Sequence, residues 1–398
     1  MDVSVQTATT RAARLLRDRR HRWFVLLGAT LGVIALIALA WWLLVGRFYE
    51  GTDDAYVAGD RVNVMSQVSG TVVSIGADET DRVVAGQELV GLDATDARIA
   101  LQDAEEQLAR TVRQTRTVFA TRDQLLAVVD QRQVELARAQ ADVMRRRNLA
   151  ASGAVSGEEL GHAQDDLKAA RDALVAAQKN LAASSALVGH TGVADHPDVR
   201  AAATQVERAW LALVRTSVRA PVSGYVARRS VQLGERTAPG AALMSIVPLG
   251  RLWIEANFRE VQLRRMRIGQ PAKVVADLYG GRVTFHGRVE GLGMGTGAAF
   301  ALLPAQNATG NWIKVVQRVP VRIALDPREL AAHPLRIGLS TVVTTEVRDD
   351  SGPQLAPNPP AKPVLATAAF DIDRSEIRAR IAQIIKDNMG EGAAQPAQ

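Results

Sequence analysis

The sequence contains no cysteine in 398 residues, and aromatic residues account for only 4 % of them. Without cysteine the chain forms neither disulfide bonds nor thiolate metal sites. So few aromatic side chains are typical of long helices and small β-modules rather than of one large enzyme core. The phosphate-loop, nucleophile-elbow and H-E-x-x-H motifs are also absent. We therefore expect a protein that is not an enzyme and that has no cofactor.

Residues that could bind a metal ion are also scarce. Of the six histidines, His190 and His196 share one polar loop with Asp195. Two histidines in such a loop are more often solvated than bound to metal, so we expect no metal site.

Positive charge is concentrated at the N-terminus. The net charge of the chain is +6, and residues 1–22 supply +4 of it, through six arginines against Asp2 and Asp18. The rest of the chain carries only the remaining +2. A basic groove for nucleic acid is therefore not expected.

Residues 23–45, WFVLLGATLGVIALIALAWWLLV, carry no charge. A helix of this length reaches about 35 Å, enough to cross a hydrocarbon core of about 30 Å. A cleaved signal peptide is the alternative, because Ala38 and Ala40 form an A-x-A sequence, but cleavage there would leave WWLLV at the new N-terminus. We therefore predict a single membrane-spanning helix. The arginines before it predict a cytoplasmic N-terminus, which leaves the chain after residue 46 outside the inner membrane.

Two heptad patterns predict an α-helical hairpin over residues 94–217. The positions of the first arm are Leu101, Leu108, Thr115, Arg122, Val129, Leu136 and Val143, of which the third and fourth are not apolar. The positions of the second arm are Leu160, Leu167, Leu174, Leu181 and Val188, with Ala163, Ala170, Ala177 and Ser184 at the facing position. Large residues that face small ones favour close antiparallel packing, although the same periodicity also fits a dimeric coiled coil.

The segment LAASGAVSGEEL lies between the two arms. Gly153 predicts the end of the first helix, and Ser156 with Glu159 predicts a capping box for the second. This segment is therefore the predicted hairpin tip. Residues 189–197 then interrupt the returning arm.

A short motif occurs twice, as VNVMSQVSGTVV at residues 62–73 and as SVRAPVSGYVA at residues 217–227. A constant offset of 154 residues aligns the pairs Val64/Val218, Val68/Val222, Ser69/Ser223, Gly70/Gly224, Val72/Val226, Gly86/Gly240, Leu89/Leu243 and Leu92/Ile246. Two copies are too few for a solenoid. We therefore interpret residues 62–93 and 218–248 as two halves of one small β domain, into which the hairpin is inserted.

These segments resemble the HlyD-type membrane fusion proteins, or periplasmic adaptors, over about residues 50–348. The segments similar to the EmrA-like multidrug efflux branch are TDDAYVAGDRVNVMSQVSG, LWIEANFREVQL, GTGAAFALLPAQNATGNWIKVVQRVPVRI and PLRIGLSTVV. The resemblance implies a mixed, elongated multidomain protein with a split lipoyl-like domain, a coiled-coil hairpin and a small β-barrel domain at residues 249–348. It also implies self-association into a ring or tube, which joins an inner-membrane transporter of the major-facilitator type to a TolC-like outer-membrane channel.

Relatives that dock on such channels are similar at the hairpin tip, where they show R-x3-L-x6-S. Arg145, Leu149 and Ser156 match this spacing, so the resemblance implies that they form a channel-docking tip. Each residue also has a structural explanation. Arg145 belongs to the charged run RRRN, Leu149 can close the hairpin, and Ser156 is a predicted N-cap.

The remaining predictions concern boundaries and turns. Residues 46–61 are predicted as a membrane-proximal linker or strand, and residues 349–398 as a proline- and alanine-rich linker and tail. One amphipathic helix predicted in the tail would run through Ile372, Ile377, Ile381 and Ile384. The glycines expected at turns of the lipoyl-like halves are Gly70, Gly86, Gly224 and Gly240. For Gly70 and Gly224 we expect either a positive φ or close packing of the two halves.

Three other functions fit parts of the sequence. A swinging-arm carrier would share the two-half fold, but it needs a modifiable lysine where the halves meet, and no lysine precedes Lys168. An adaptor of an ABC-type (type I) secretion system and a membrane-tethered coiled-coil scaffold without a transport role both stay open. The scaffold leaves the split domain and the barrel strands unexplained, so drug efflux is the favoured interpretation.

Overall fold

The computed structural model describes residues 26–300, 316–359, 361 and 363–390. These residues form two compact units. The first contains residues 26–62, 222–227 and 245–366 of the described chain, and the second contains residues 63–221, 228–244 and 367–390. The predicted cytoplasmic tail, residues 1–22, lies outside the described residues.

The elements follow in three groups along the chain. Before the hairpin come α1 (Leu26–Phe48), β1 (Tyr49–Gly59), β2 (Val62–Met65), β3 (Gly70–Ile75), β4 (Arg82–Val83) and β5 (Glu88–Leu92). The hairpin and the strands after it are α2 (Thr95–Ala151), α3 (Gly157–Val188), α4 (Pro197–Val214), β6 (Ser217–Arg219), β7 (Gly224–Arg229), β8 (Arg236–Thr237) and β9 (Ala242–Val247). The remaining elements are β10 (Leu252–Arg259), β11 (Pro271–Ala276), β12 (Phe285–Leu292), β13 (Arg318–Leu325), α5 (Pro327–Ala332), β14 (Ser340–Glu346) and α6 (Ser375–Met389).

The predicted membrane span corresponds to α1, whose last three residues form a 3-10 turn. Its 23 residues are long and apolar enough to cross a bilayer, and its side chains are not buried against the protein. A helix with so many exposed apolar side chains is stable only where hydrocarbon replaces water around it. The beginning of the predicted span, including Trp23, lies outside the described residues.

In the first unit, six strands close into a barrel in the order β1-β10-β13-β12-β11-β14. Alternate side chains of β10 are buried, as expected for a strand with one face on a core, and Phe258 and Phe285 are fully enclosed. The strand β1 closes the barrel, because Ala55 pairs with Ala256 on one side and Tyr49 pairs with Glu346 on the other. The predicted barrel of residues 249–348 was therefore too short, since it left out its first strand.

The split domain repeats its strands with the offset found in the sequence. Adding 154 to the bounds of β3 and β4 gives the bounds of β7 and β8. One sheet has the order β6-β5-β3-β8 and the other has the order β2-β9-β7-β4. Each sheet therefore combines two strands of one half with two strands of the other, related by an approximate twofold exchange.

Equivalent hydrogen bonds join the two halves. The Ser66 amide donates to the Ala241 carbonyl oxygen at 3.1 Å, and the Ala220 amide, 154 residues after Ser66, donates to the Gln87 carbonyl oxygen at 2.8 Å. In return, the amides of Gly240 and Gly86 donate to the carbonyl oxygens of Ser66 and Ala220, both at 2.8 Å. The β domain is completed only when both halves are present, which explains why the motif occurs twice.

The hairpin packs α2 against α3 within one chain, as the close antiparallel interpretation predicted. All nine heptad positions predicted for the second arm are buried or half-buried. In the first arm Thr115 is buried and Arg122 is half-buried, so the two non-apolar positions still face the neighbouring helices. The periodicity therefore located the packed face even where the residue type is polar.

The returning arm is broken between α3 and α4, as predicted. His196 caps α4: its Nδ1 accepts from the Asp198 amide at 3.3 Å, while Nε2 lies 3.1 Å from the Leu187 carbonyl oxygen. The His196 side chain is largely buried, so the expectation that it is merely solvated was wrong. The imidazole instead holds the end of α3 against the start of α4.

The tail contains α6, which packs against α2 and α4. Ile377 and Ile384 are buried there with Leu108 and Val206, whereas Ile372 precedes the helix. The Arg380 guanidinium donates to the Glu105 carboxylate at 2.9 Å. The prediction of an amphipathic helix was correct except at Ile372, but its apolar face needed a partner that the sequence did not reveal.

Candidate functional site: the hairpin tip

The tip is a short turn between two capped helices. The α2 helix ends at Ala151, and the Ser152 hydroxyl donates to the Leu149 carbonyl oxygen at 2.8 Å. Gly153 follows with a φ of +76°, a conformation that side chains disfavour. The chain therefore reverses within a few residues, and the predicted end of the first helix is confirmed.

Ser156 starts the second arm as an N-cap. Its hydroxyl accepts from the Glu159 amide at 3.2 Å, and its own amide donates to the Glu159 carboxylate at 3.1 Å. The predicted capping box is therefore present. The hydrogen bonds of Ser156 are directed to the turn itself, which supplies a structural reason for this residue.

Arg145 has a local partner at the end of α2. Its guanidinium donates to the Asp142 carboxylate at 2.9 Å, and Arg146 donates to the same carboxylate at 2.8 Å. The Arg145 hydrogen bond, helped by the charge of Arg146, lowers the pKa of Asp142. The Arg145 side chain nevertheless remains 71 % exposed, so this surface pair stabilises the helix only slightly.

Leu149 and Met144 add exposed apolar surface to the last turns of α2. Neither side chain is buried between the helices, so neither contributes a core contact to the tip. The sequence predictions missed Met144 and Asp142. The signal for Asp142 was available, because it precedes Arg145 by three residues and Arg146 by four, the spacing of ion pairs on a helix.

The glycines of the split domain have two different roles. Gly86 and Gly240, which are 154 residues apart, have φ values of +85° and +86° and occupy equivalent turns. Gly224 instead permits close approach, because a Cβ there would lie 2.5 Å from the Val247 carbonyl oxygen. Gly70 and Gly224 each open a strand and neither has positive φ, so the turn role was wrong for these two glycines. The close-packing alternative agrees with the structure, although the nearest atoms belong to the same half of the domain as each glycine.

Within the described part of the chain, no group of three or more histidine, cysteine or acidic side chains is arranged to hold a metal ion. What the arrangement offers is a surface: a cation, two apolar side chains and a turn at one end of a helical hairpin. Exposed apolar and cationic side chains of this kind suit contact with another protein.

Comparison with known proteins identifies this combination of domains. Residues 95–216 match the EMRA alpha-helical hairpin domain family, and residues 251–346 match the AAEA-like beta-barrel domain family. The multidrug export protein EmrA of Escherichia coli strain K12 is 47 % identical over 350 residues, which cover 88 % of this chain and 90 % of that protein. The chain belongs to the EmrA-type membrane fusion proteins.

Other EmrA-type proteins are similar over comparable lengths. The probable multidrug resistance protein EmrK of the same strain is 45 % identical over 374 residues, 93 % of this chain and 97 % of that protein. A solved structure described as the periplasmic adaptor protein EmrA covers 75 % of this chain and 99 % of that one, with 18 % identity and a TM-score of 0.39.

Membership of the EmrA type determines the general role of the chain. It is an efflux membrane fusion protein, anchored in the inner membrane by α1 with its bulk in the periplasm. The relatives that share this type are named for multidrug export and multidrug resistance.

Proposed function

We propose that this chain joins a major-facilitator drug exporter of the inner membrane to a TolC-like outer-membrane channel. In this role Arg145 and Leu149 contact the channel, and Ser156 shapes the turn that presents them. The split lipoyl-like domain positions the hairpin, and the barrel lies near the membrane. The N-terminal arginines hold the start of the chain in the cytoplasm.

The observation that carries the docking proposal is the composition of the tip. Arg145 and Leu149 remain exposed, although the neighbouring heptad positions of both arms face the hairpin interior. A cation beside an apolar side chain suits a groove between helices of a partner, where the apolar part is buried and the cation finds an acceptor. A relative that aligns with 88 % of this chain is named as a multidrug export protein, which supports drugs as the exported compounds.

Purification of the full-length chain from its native membrane, followed by mass spectrometry of bound proteins, tests the choice of transporter. We expect a major-facilitator protein in the complex. An ATP-binding-cassette partner would instead indicate type I secretion. Recovery of neither kind of transporter, from cells that resist drugs only when the chain is present, would contradict the adaptor proposal itself.

Alkaline phosphatase fusions test the orientation of α1. A fusion after residue 60 should be active, because the enzyme would fold in the periplasm, and a fusion at residue 10 should be inactive. The reverse pattern would place the barrel and the hairpin in the cytoplasm, where they cannot reach an outer-membrane channel.

A further inference from the structure

One rim of the barrel is fixed next to the membrane by chain connectivity. β1 begins at Tyr49, directly after α1, and the Val347 amide at the end of β14 donates to the Phe48 carbonyl oxygen at 2.8 Å. β10 is antiparallel to β1, so β10 ends at the same rim. Arg259 at the end of β10 pairs with Arg318, so β13 starts at this rim. β12 is antiparallel to β13 and therefore ends at this rim. We call this end of the barrel the span-side rim.

The span-side rim exposes large apolar side chains. In the described part of the barrel, those at this rim are Tyr49, Val261, Met294, Phe300 and Val316. Val261 is 69 % exposed, Met294 74 % and Phe300 75 %, and they come from two separate connections between strands. Towards the opposite rim, among the same described residues, the exposed large apolar side chains are Leu278, Tyr56 and Val342, which are 50 %, 46 % and 45 % exposed. Apolar side chains that cluster at one end of a domain mark a contact surface.

Arginine side chains lie beside these apolar groups. Arg264 and Arg265 are exposed on the 3-10 segment that also carries Val261. The guanidinium groups of Arg47 and Arg348 lie 4.7 Å and 5.2 Å from the centre of the Phe48 ring, at the join between α1 and the barrel. The rim also carries carboxylates, one of which, Glu346, lies 3.8 Å from Arg348. The arginines of this rim therefore suit the phosphate group that every phospholipid carries, because a guanidinium binds phosphate well. The nearby carboxylates make the rim less suited to a surface with a net negative charge.

We propose that the span-side rim rests in the head-group layer of the bilayer that α1 crosses, with Val261, Met294 and Phe300 as its apolar contacts. The occupant is inferred from continuity, because the span enters the membrane at this rim without an intervening linker. A transporter surface or a second copy of the chain would also cover apolar residues. Those occupants lead to different outcomes in the experiment below.

The natural absence of cysteine makes the rim accessible to unique labels. Val261→Cys, Met294→Cys and Phe300→Cys each place one nitroxide on the full-length chain, reconstituted without other proteins into nanodiscs of phosphatidylethanolamine and phosphatidylglycerol. Leu278→Cys is the matched control, since it is similarly apolar and 50 % exposed at the opposite rim. Collision of the nitroxide with oxygen, which concentrates in lipid, is compared with collision with a water-soluble nickel chelate.

The three rim labels should show a several-fold higher ratio of oxygen to nickel collisions than the Leu278 label. As a control, the same variants carry a protease site before Tyr49, and cleavage there removes α1. In buffer without detergent or lipid, the cleaved variants should no longer differ from the cleaved Leu278 variant in this ratio. A water-like ratio at all three rim positions in nanodiscs would overturn the proposal, and so would a lipid-like ratio that appears only when an inner-membrane transporter is added. Shielding from both reagents, in nanodiscs and in detergent alike, would assign the rim to a second copy and also overturn it.

Discussion

The two ends of the helical hairpin are built in different ways. At the root, where α4 and α6 pack against α2, three helices enclose Leu108, Val112, Val199 and Val206. Ion pairs of Arg380 with Glu105 and of Arg374 with Glu207 border this cluster. At the tip only α2 and α3 remain, and the ion pair and the exposed apolar side chains all belong to the surface.

This difference separates residues that hold the fold from residues that are free for other contacts. Most helical stability comes from burial of an apolar face, and a third helix buries more of it. The root therefore supplies the stability, whereas the tip contributes little beyond its cap. Substitutions at the two ends should consequently affect different measurements.

Charge reversal at the tip should have the largest effect on function and almost none on folding. Arg145→Asp replaces an exposed cation, so the melting temperature should change little. Export should be lost, because a reversed charge at a desolvated contact costs more than the contact itself. Arg147→Asp is the matched control on the same charged run, and it should retain export. Resistance of cells that contain normal amounts of each variant, together with tip-to-channel cross-linking, measures the effect. Full export by Arg145→Asp with an intact cross-link would contradict the docking assignment.

Separation of α6 from the root should have the largest effect on stability. Ile384→Asp buries a carboxylate among aliphatic side chains and should cost about 2–5 kcal/mol of unfolding free energy. Ala382→Asp introduces the same group on the exposed face of the same helix and should cost under about 1 kcal/mol. Thermal melting and hydrogen exchange of residues 197–214 report the difference. Equal behaviour of the two variants would mean that α6 does not support the root.

A smaller effect on stability is expected in the split domain, to which the root of the hairpin is joined. Gly224→Ala places a Cβ 2.5 Å from the backbone oxygen of Val247, whereas Gly70→Ala places one 3.1 Å from the Cβ of Leu92. Backbone yields less readily than a side chain, so Gly224→Ala should cost about 1–3 kcal/mol and Gly70→Ala clearly less. Chemical denaturation of both variants gives the order. A larger loss for Gly70→Ala would show that the two halves are not packed as the structure describes.

The smallest effect should come from loss of the cap at the tip. Ser156→Ala removes the acceptor for the Glu159 amide and should cost about 0.5–2 kcal/mol, felt locally because no third helix is present. Faster hydrogen exchange confined to the first turn of α3, with an unchanged melting temperature, is the expected result. Ser156→Thr keeps the hydroxyl and should restore protection. Faster exchange that reaches residues 197–214 would show that tip and root are coupled.

Local features of the hairpin were accessible from the sequence, because they depend on residues close together in the chain. The heptad positions, the Gly153 break and the Ser156 cap all follow from spacings of a few residues. The duplicated β motif was accessible for a different reason, since a repeat records a structural equivalence directly. The exposure of Leu149 follows only from the way the helices pack.

Partners far apart in the chain were not predictable in the same way. β1 pairs with β10, about two hundred residues further on, and with β14, about three hundred residues further on. Its alternating pattern fits any half-buried strand. The apolar face of α6 likewise gives no sign that α2 and α4 cover it. His196 was misjudged because a polar loop in the sequence is tightly packed where two helix ends meet.

The attachment of the hairpin to the split domain also determines how it can carry force. β5 leads into α2 and β6 follows α4, and these antiparallel strands are neighbours that pair at Val90 and Val218. A pull along the hairpin therefore draws both strands in the same direction and does not unzip them from each other. The load passes to the ladder between β5 and β3, where it acts as shear, so that several hydrogen bonds must break together. The side-by-side arrangement of β5 and β6 thus attaches the helical hairpin to the split domain in a way that resists tension.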